Sequence, residues 1–239
     1  MKTLKIILHI LLVIPLCFLI LVSTKKQQER IIQFWCKKLL SIFEIKVEVR
    51  GLETFLFNEK KYLIAANHIS WLDIIVIQSI RPSIFVAKSD VASWPLFGWV
   101  AQMTGTIFIK RDKVSDIKKA LKKMKRRLIK RSVCIFPEGT STNGRYLLPF
   151  KSNLFQSSID THKSILPICL RYEQNNTYSD KVAFVDEMSL VDSIIQIKQE
   201  KDIKVIVEVL QPIRPRYNRK ELASYTYEMI RQNLSQNLS

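Results

Sequence analysis

The sequence predicts a single α/β domain with a mixed, largely parallel sheet flanked by helices, preceded by an N-terminal membrane helix and an amphipathic helix. Three observations carry that expectation. Short apolar runs alternate with segments whose apolar residues fall at helical spacing, the pattern of strands joined by crossover helices. Residues 4–22 are almost unbroken in their apolarity, with His9 as the one polar side chain after Lys5. Residues 28–43 interleave Ile31, Ile32, Phe34, Trp35, Leu39, Leu40 and Phe43 with Lys and Arg, the signature of a helix with one oily and one basic side. The expected division is residues 1–44 as anchoring helices and 45–239 as the folded domain.

The first segment is about as long as a bilayer is thick. Lys2 and Lys5 open it, and Leu21-Val22-Ser23-Thr24 is a poor cleavage site for a signal peptide, so it reads as a retained anchor. The flank that follows (Lys25, Lys26, Arg30, Lys37, Lys38) is more basic than the one before it. That asymmetry places the domain on the cytoplasmic side of the cell (inner) membrane. Pro15 and His9 leave open a helix that dips into one leaflet. The amphipathic segment reads as interfacial, with Trp35 at headgroup level; a plain surface helix is the alternative.

From residue 45 the pattern becomes globular. Strands are expected at residues 45–49, 62–66, 84–87, 105–111, 132–136, 165–170, 181–185 and 203–210. Ser70 reads as the cap of a helix carrying Trp71, Leu72, Ile74, Ile75 and Ile77. A second helix over residues 94–103 has Pro95 at its first position. The helix over 114–130 turns Val114, Ile117, Leu121, Met124 and Leu128 inward and Lys118, Lys119, Lys122, Lys123, Lys125, Arg126 and Arg127 outward. Residues 151–161 read as helix, Asn143-Gly144 as a turn, and Asn218 as the cap of a last helix to residue 229.

Across 239 residues the formal net charge is +17, which favours anionic partners: nucleic acid, acidic lipid headgroups or an acidic carrier protein. Nucleic acid fits poorly, because aromatics do not interleave with the basic helix and no helix-turn-helix or RNA-recognition pattern appears. Cys17, Cys36, Cys134 and Cys169 are scattered, with no spacing that suggests a disulfide framework or a metal site. Cys134 sits inside an apolar strand and reads as an inert core thiol.

The chain is organised around residues 65–73, Ala-Ala-Asn-His-Ile-Ser-Trp-Leu-Asp. A strand breaks at Asn67-His68 and a helix follows. On a regular helix His68 and Asp73 would lie about 140° apart, so they meet only if His68 stands outside the helix. Two readings stay open at this point: Asp73 steers the imidazole, or Ser70 and Asp73 form a capping box and His68 is an ordinary loop residue.

Three further blocks stand at expected strand ends: Gly105-x-x-Phe108-Ile109-x-Arg111, Phe136-Pro137-Glu138-Gly139-Thr140, and Pro167. In this order, with Asn67-His68 and Asp73, they resemble the glycerolipid acyltransferase family over roughly residues 45–210. The resemblance implies an enzyme that moves a fatty acyl group from acyl-CoA or an acyl carrier protein to a lysophospholipid, most simply 1-acyl-sn-glycerol-3-phosphate. It implies His68 as general base oriented by Asp73, and Asn67, Arg111, Glu138, Gly139, Thr140 and Lys151 as substrate-binding residues. Arg111 would hold the acceptor phosphate. The acyl thioester is a co-substrate; no cofactor and no metal are implied. Membrane lipids are the expected partners. Two positions depart from the family pattern: Ser141 stands where many lysophosphatidate acyltransferases have Arg, and Phe150-Lys151-Ser152-Asn153 replaces Phe-Lys-x-Gly. Relatives with Ser or Thr after the third block include acyltransferases for lyso-ornithine lipids, the alternative acceptor.

Overall fold

A computed structural model describes residues 2–53, 55, 58–110, 114–185 and 187–236. The apolar N-terminus forms α1 (Lys2–Leu11) and α2 (Val13–Val22), and the amphipathic segment forms α3 (Lys25–Phe43). The single helix expected over residues 4–22 is interrupted at Leu12. Pro15 is the physical cause, since it has no N–H to offer the Leu11 carbonyl and its ring crowds that carbonyl. Leu12 stays in helical geometry, so the two pieces form one apolar rod of 21 residues, long enough to cross a membrane.

The rod folds back along α3. Thr24 caps α3 through a box with Gln27, and Lys2 reaches Glu44 at the far end of α3. The polar residue in the body of the rod is accounted for here. His9 Nε2 lies 3.0 Å from the Trp35 carbonyl, and Trp35 Nε1–H donates back to the His9 carbonyl at 3.1 Å, with the rings stacked. Ile6, Val13, Cys17 and Ile20 are buried, while Leu4, Leu8, Leu11, Phe18, Leu21 and Val22 stand exposed. One stripe packs on protein and the rest of the rod presents hydrocarbon outward.

The sheet comprises β1 (Lys46–Gly51), β2 (Leu63–Ala66), β3 (Ile84–Lys88), β4 (Ile107–Ile109), β5 (Val133–Ile135), β6 (Ile165–Gln174), β7 (Thr177–Tyr178) and β8 (Ile203–Val209). Its order is β1-β8-β6-β2-β5-β3-β4, with β7 hairpinned onto β6. β6, β2, β5, β3 and β4 run parallel, and β8 is antiparallel to β6. The central strands are buried on both faces, which explains why they read as continuous apolar runs. Helices α4 (Leu72–Ile80), α5 (Phe97–Met103), α6 (Val114–Leu128), α7 (Gln156–Thr161), α8 (Leu190–Gln199) and α9 (Arg219–Gln236) cover the sheet. Ala120, Met124 and Leu128 of α6 enter the core. Asn218 caps α9 as expected, its carboxamide oxygen accepting from Glu221 N at 3.1 Å.

Several expectations are corrected. The strand expected over residues 105–111 is confined to Ile107–Ile109, and Arg111 lies outside the described residues. The helix expected from residue 94 begins at Phe97, after a 3-10 turn at Ser89–Ser93 and a left-handed Leu96. The strand expected at 181–185 is absent. Its backbone is engaged by the loop after β2 instead, with Phe184 N donating to the Ile69 carbonyl at 2.8 Å. β6 continues to Gln174 rather than ending at Leu170. The charges that ended the apolar run, Arg171 and Glu173, alternate onto one face and pair there at 3.0 Å, leaving Tyr172 to face the core.

Candidate active site

Because β2, β5 and β6 are parallel, the segments that follow β2 and β5 gather at one edge of the sheet, where α/β folds collect ligands. At the end of β2 the chain leaves the ladder, and Asn67 replaces the next rung with its side chain. Its amide donates to the Leu170 carbonyl at 2.9 Å and accepts from Leu170 N at 2.7 Å. Both amide groups are thereby used, and Asn67 is a clamp between β2 and β6.

That clamp sets His68 outside the helix. His68 Nδ1 lies 2.8 Å from Asp73 Oδ2. The same oxygen accepts from Ile69 N at 2.7 Å and Ser70 N at 2.9 Å. The expected cap is only half built: Asp73 returns to Ser70 N and Ser70 Oγ accepts from Leu72 N at 3.4 Å, but the N-cap position is Trp71 and carries no side-chain cap bond, so Ser70 is not the cap. An oxygen that already accepts from two backbone N–H groups can only accept from the ring, so Nδ1 carries the proton and Nε2 presents its lone pair. Asp73 is fully buried, and the His68 side chain keeps 20% of its surface open. Phe136 stacks on the imidazole with centroids 3.9 Å apart.

The fourth donor to Asp73 comes from a residue the sequence did not single out. Tyr172 Oη–H donates to Asp73 Oδ1 at 2.8 Å. Tyr172 is entirely buried, and burial followed by the adjacent carboxylate pushes its phenol well above the ordinary range. A buried tyrosine needs a hydroxyl partner, which is the signal that could have found it had β6 been extended two residues.

Glu138 lies beneath the site. Its Oε1 accepts from His68 N at 2.8 Å and its Oε2 from Leu148 N at 2.9 Å. Burial pushes its carboxyl up to about 7 against the pull of those two amides. Both oxygens hold backbone, so Glu138 fixes the loops on which substrate would rest. Gly139 turns the chain there with φ of 86°, a left-handed conformation that favours glycine. Thr140 and Lys151 are exposed at the rim; the Lys151 N–H ties back to the Pro137 carbonyl at 2.9 Å. Ser141 donates its hydroxyl to the Phe184 carbonyl, so residues 181–185 form a wall of the site. Arg145 pairs with Asp180 at 3.5 Å and lies over the Tyr178 ring. Cys134 is buried behind the site, and burial raises its thiol far above its ordinary value.

An apolar cavity of about 160 Å³ opens between α2, α3, α4 and α5, lined by Val13, Trp35, Trp71, Phe85, Val100 and Ala101 among others. Phe85 of its wall meets Phe136 at 5.9 Å, so one ring separates the cavity from the ring stacked on His68.

The acyltransferase family model matches residues 46–171, a stretch that runs from β1 into β6 and contains Asn67, His68, Asp73 and Glu138 but stops one residue short of Tyr172. The chain belongs to the acyltransferase family. It is an acyltransferase enzyme by that descent. It is 28% identical over 206 residues to a lyso-ornithine lipid O-acyltransferase of Pseudomonas aeruginosa, covering 85% of this chain and 78% of the relative. It is 43% identical over 111 residues to a 1-acyl-sn-glycerol-3-phosphate acyltransferase of Neisseria gonorrhoeae, covering 46% and 44%. Among solved structures, the 1-acyl-sn-glycerophosphate acyltransferase PlsC of Thermotoga maritima shares the fold with a TM-score of 0.70 at 18% identity, covering 99% of this chain and 97% of that one.

Proposed function

We propose that this acyltransferase transfers a fatty acyl group from an acyl thioester, acyl-CoA or an acyl carrier protein, to the free hydroxyl of a lysolipid at the cytoplasmic face of the cell (inner) membrane. The observation that carries the reading is the imidazole held by Asp73 through Nδ1, on a side chain that keeps part of its surface exposed. Nε2 takes the proton of the acceptor hydroxyl as its oxygen attacks the thioester carbonyl. The carbon–sulfur bond then breaks, and the imidazolium returns the proton to the departing thiolate. Asp73 stabilises the imidazolium between those events, the part an aspartate plays in Ser-His-Asp triads. The lipid alcohol stands where such triads have their serine, so no acyl-enzyme is required. The apolar cavity beside Phe136 suits the hydrocarbon of a lipid substrate. The rod formed by α1 and α2 seats the site against the bilayer.

The acceptor read from the motifs is 1-acyl-sn-glycerol-3-phosphate, with Arg111 gripping its phosphate. A second acceptor, lyso-ornithine lipid, is favoured by Ser141, whose hydroxyl is turned to the Phe184 carbonyl, and by the longer match to a relative of that name. The ornithine headgroup has no phosphate, which separates the two. Purified protein is assayed with labelled acyl thioester against both lysolipids, as wild type and Arg111→Ala. Loss confined to the phosphate-bearing acceptor supports the first reading, and preference for lyso-ornithine lipid with indifference to Arg111 supports the second. No transfer to either lysolipid defeats the proposal.

A further inference from the structure

At the opposite edge of the sheet from His68, where β4 and β5 begin, a second cavity of about 650 Å³ is unlike the first. Lys25, Lys123, Arg126, Arg127, Lys130 and Arg131 line it, and no carboxylate does. Arg131 is tied to Glu29 at 3.3 Å, and the Lys25 ammonium donates to the Lys130 carbonyl. Among the described residues no ion pair forms to Lys123, Arg126, Arg127 or Lys130. Burial, followed by the neighbouring cations after a partial offset by Glu29, lowers the Lys25 ammonium below its ordinary value. So dense a set of like charges in a concavity is stabilised by a bound anion, and guanidinium groups match phosphate oxygens in bidentate fashion.

The position of the cavity says which anion. Lys25 and Gln28 of its wall open α3, directly after the exposed end of α2, where Val22 is 84% exposed and Leu21 65%. Gln28 also holds that end in place, donating to the carbonyls of Ile20 and Ser23. Hydrocarbon-facing surface thus passes within a few residues into a phosphate-sized cluster of cations, the same order of zones that a phospholipid presents from tail to headgroup. An acidic carrier protein fits less well. It would have to deliver its thioester to the other edge of the sheet, and the surface here is a hollow rather than a face.

We propose that this cavity binds the headgroup phosphate of an anionic phospholipid, as a site separate from the catalytic cleft. The test compares two double variants of full-length protein with equal charge change on the same helix. Arg126→Gln/Arg127→Gln removes cavity cations, and Lys118→Gln/Lys122→Gln removes exposed lysines outside it. Binding to phosphatidylglycerol-containing and to pure phosphatidylcholine vesicles is measured by sedimentation, with folding checked by circular dichroism and acyl transfer checked in detergent micelles.

General surface attraction is worth about fivefold per charge, the same for both variants. A built site costs the cavity variant at least a further tenfold on phosphatidylglycerol, with little change on phosphatidylcholine and transfer in micelles retained by both. Equal losses in the two variants overturn the proposal, as does wild-type binding by the cavity variant. Competition by millimolar glycerol phosphate without any difference between vesicle types assigns the cavity to a soluble phosphate and overturns the lipid assignment. Preferential protection by an acidic carrier protein does the same.

Discussion

Asp73→Asn is the most informative perturbation of the site, because the structure separates the two tasks of the carboxylate. In a Ser-His-Asp triad, replacement of the aspartate by Asn loses the charge and also leaves the ring in the wrong tautomer, at a cost of about 10⁴ in kcat. Here Ile69 N and Ser70 N, at 2.7 and 2.9 Å, demand an oxygen at the Oδ2 position. The substituted carboxamide therefore keeps its oxygen toward His68 and turns its amide nitrogen to Tyr172, whose hydroxyl can accept as well as donate. The tautomer survives and only the charge is lost. For charges about 4 Å apart at an effective dielectric constant near 20 the lost interaction with the imidazolium is about 4 kcal/mol, or about 10³ in kcat.

Tyr172→Phe alone removes one of four bonds to Asp73 and should lower kcat by about tenfold or less. Combined with Asp73→Asn it leaves the buried amide nitrogen of the new side chain without an acceptor, so the two changes are more than additive. Steady-state kinetics with a labelled acyl thioester, on variants verified to be folded, measure all three. A loss for Asp73→Asn equal to that of His68→Ala would refute the reasoning, and so would strict additivity with Tyr172→Phe.

Other consequences follow from the same geometry. Asn67→Ala removes both bonds to Leu170 and leaves a buried strand N–H and carbonyl bare, a loss of about 2–4 kcal/mol in denaturant unfolding. Glu138, with its carboxyl at about 7 in the folded protein and lower when unfolded, favours folding in its protonated form. Its contribution is complete in acid below the unfolded value and is lost as pH rises through about 7, a span of about 3 kcal/mol. Glu138→Gln removes that slope, so the stability difference between pH 5 and pH 8 should shrink in the variant, as read from paired unfolding curves. Ala101→Trp fills the apolar cavity and should shift transfer toward shorter acyl chains without altering vesicle binding; an unchanged chain-length profile in competition assays argues against an acyl chain in that cavity.

Much of the fold was readable from local pattern. The continuous apolar runs of β2, β5 and β6 announce a parallel sheet, and the face of α6 that carries Met124 and Leu128 announces its docking side. The approach of His68 to Asp73 was also readable, because a strand break before a cap is a local event. The sequence posed a cap and a steering carboxylate as rivals; the structure has one Asp73 oxygen that holds both the ring and the turn before the helix, while the cap position itself falls to Trp71. The roles of Asn67, Glu138 and Tyr172 were not readable in the same way. Each depends on a partner far along the chain: Leu170, the amides of His68 and Leu148, and Asp73. Tyr172 was hidden further by Arg171 and Glu173, whose charges look like a strand's end but neutralise each other on the opposite face of β6. Residues 181–185 misread as a strand because a buried wall of the site carries the same apolar residues that a sheet would.

In the proposed mechanism the Nε2 of His68 removes the proton from the lipid alcohol. That step is tested most directly by single-turnover transfer with His68→Ala, beside wild type, in the same vesicles and with matched circular dichroism. The variant should bind the vesicles as wild type does and form no acylated product above the enzyme-free rate. Product formed by the variant at a rate within about tenfold of wild type would contradict that step.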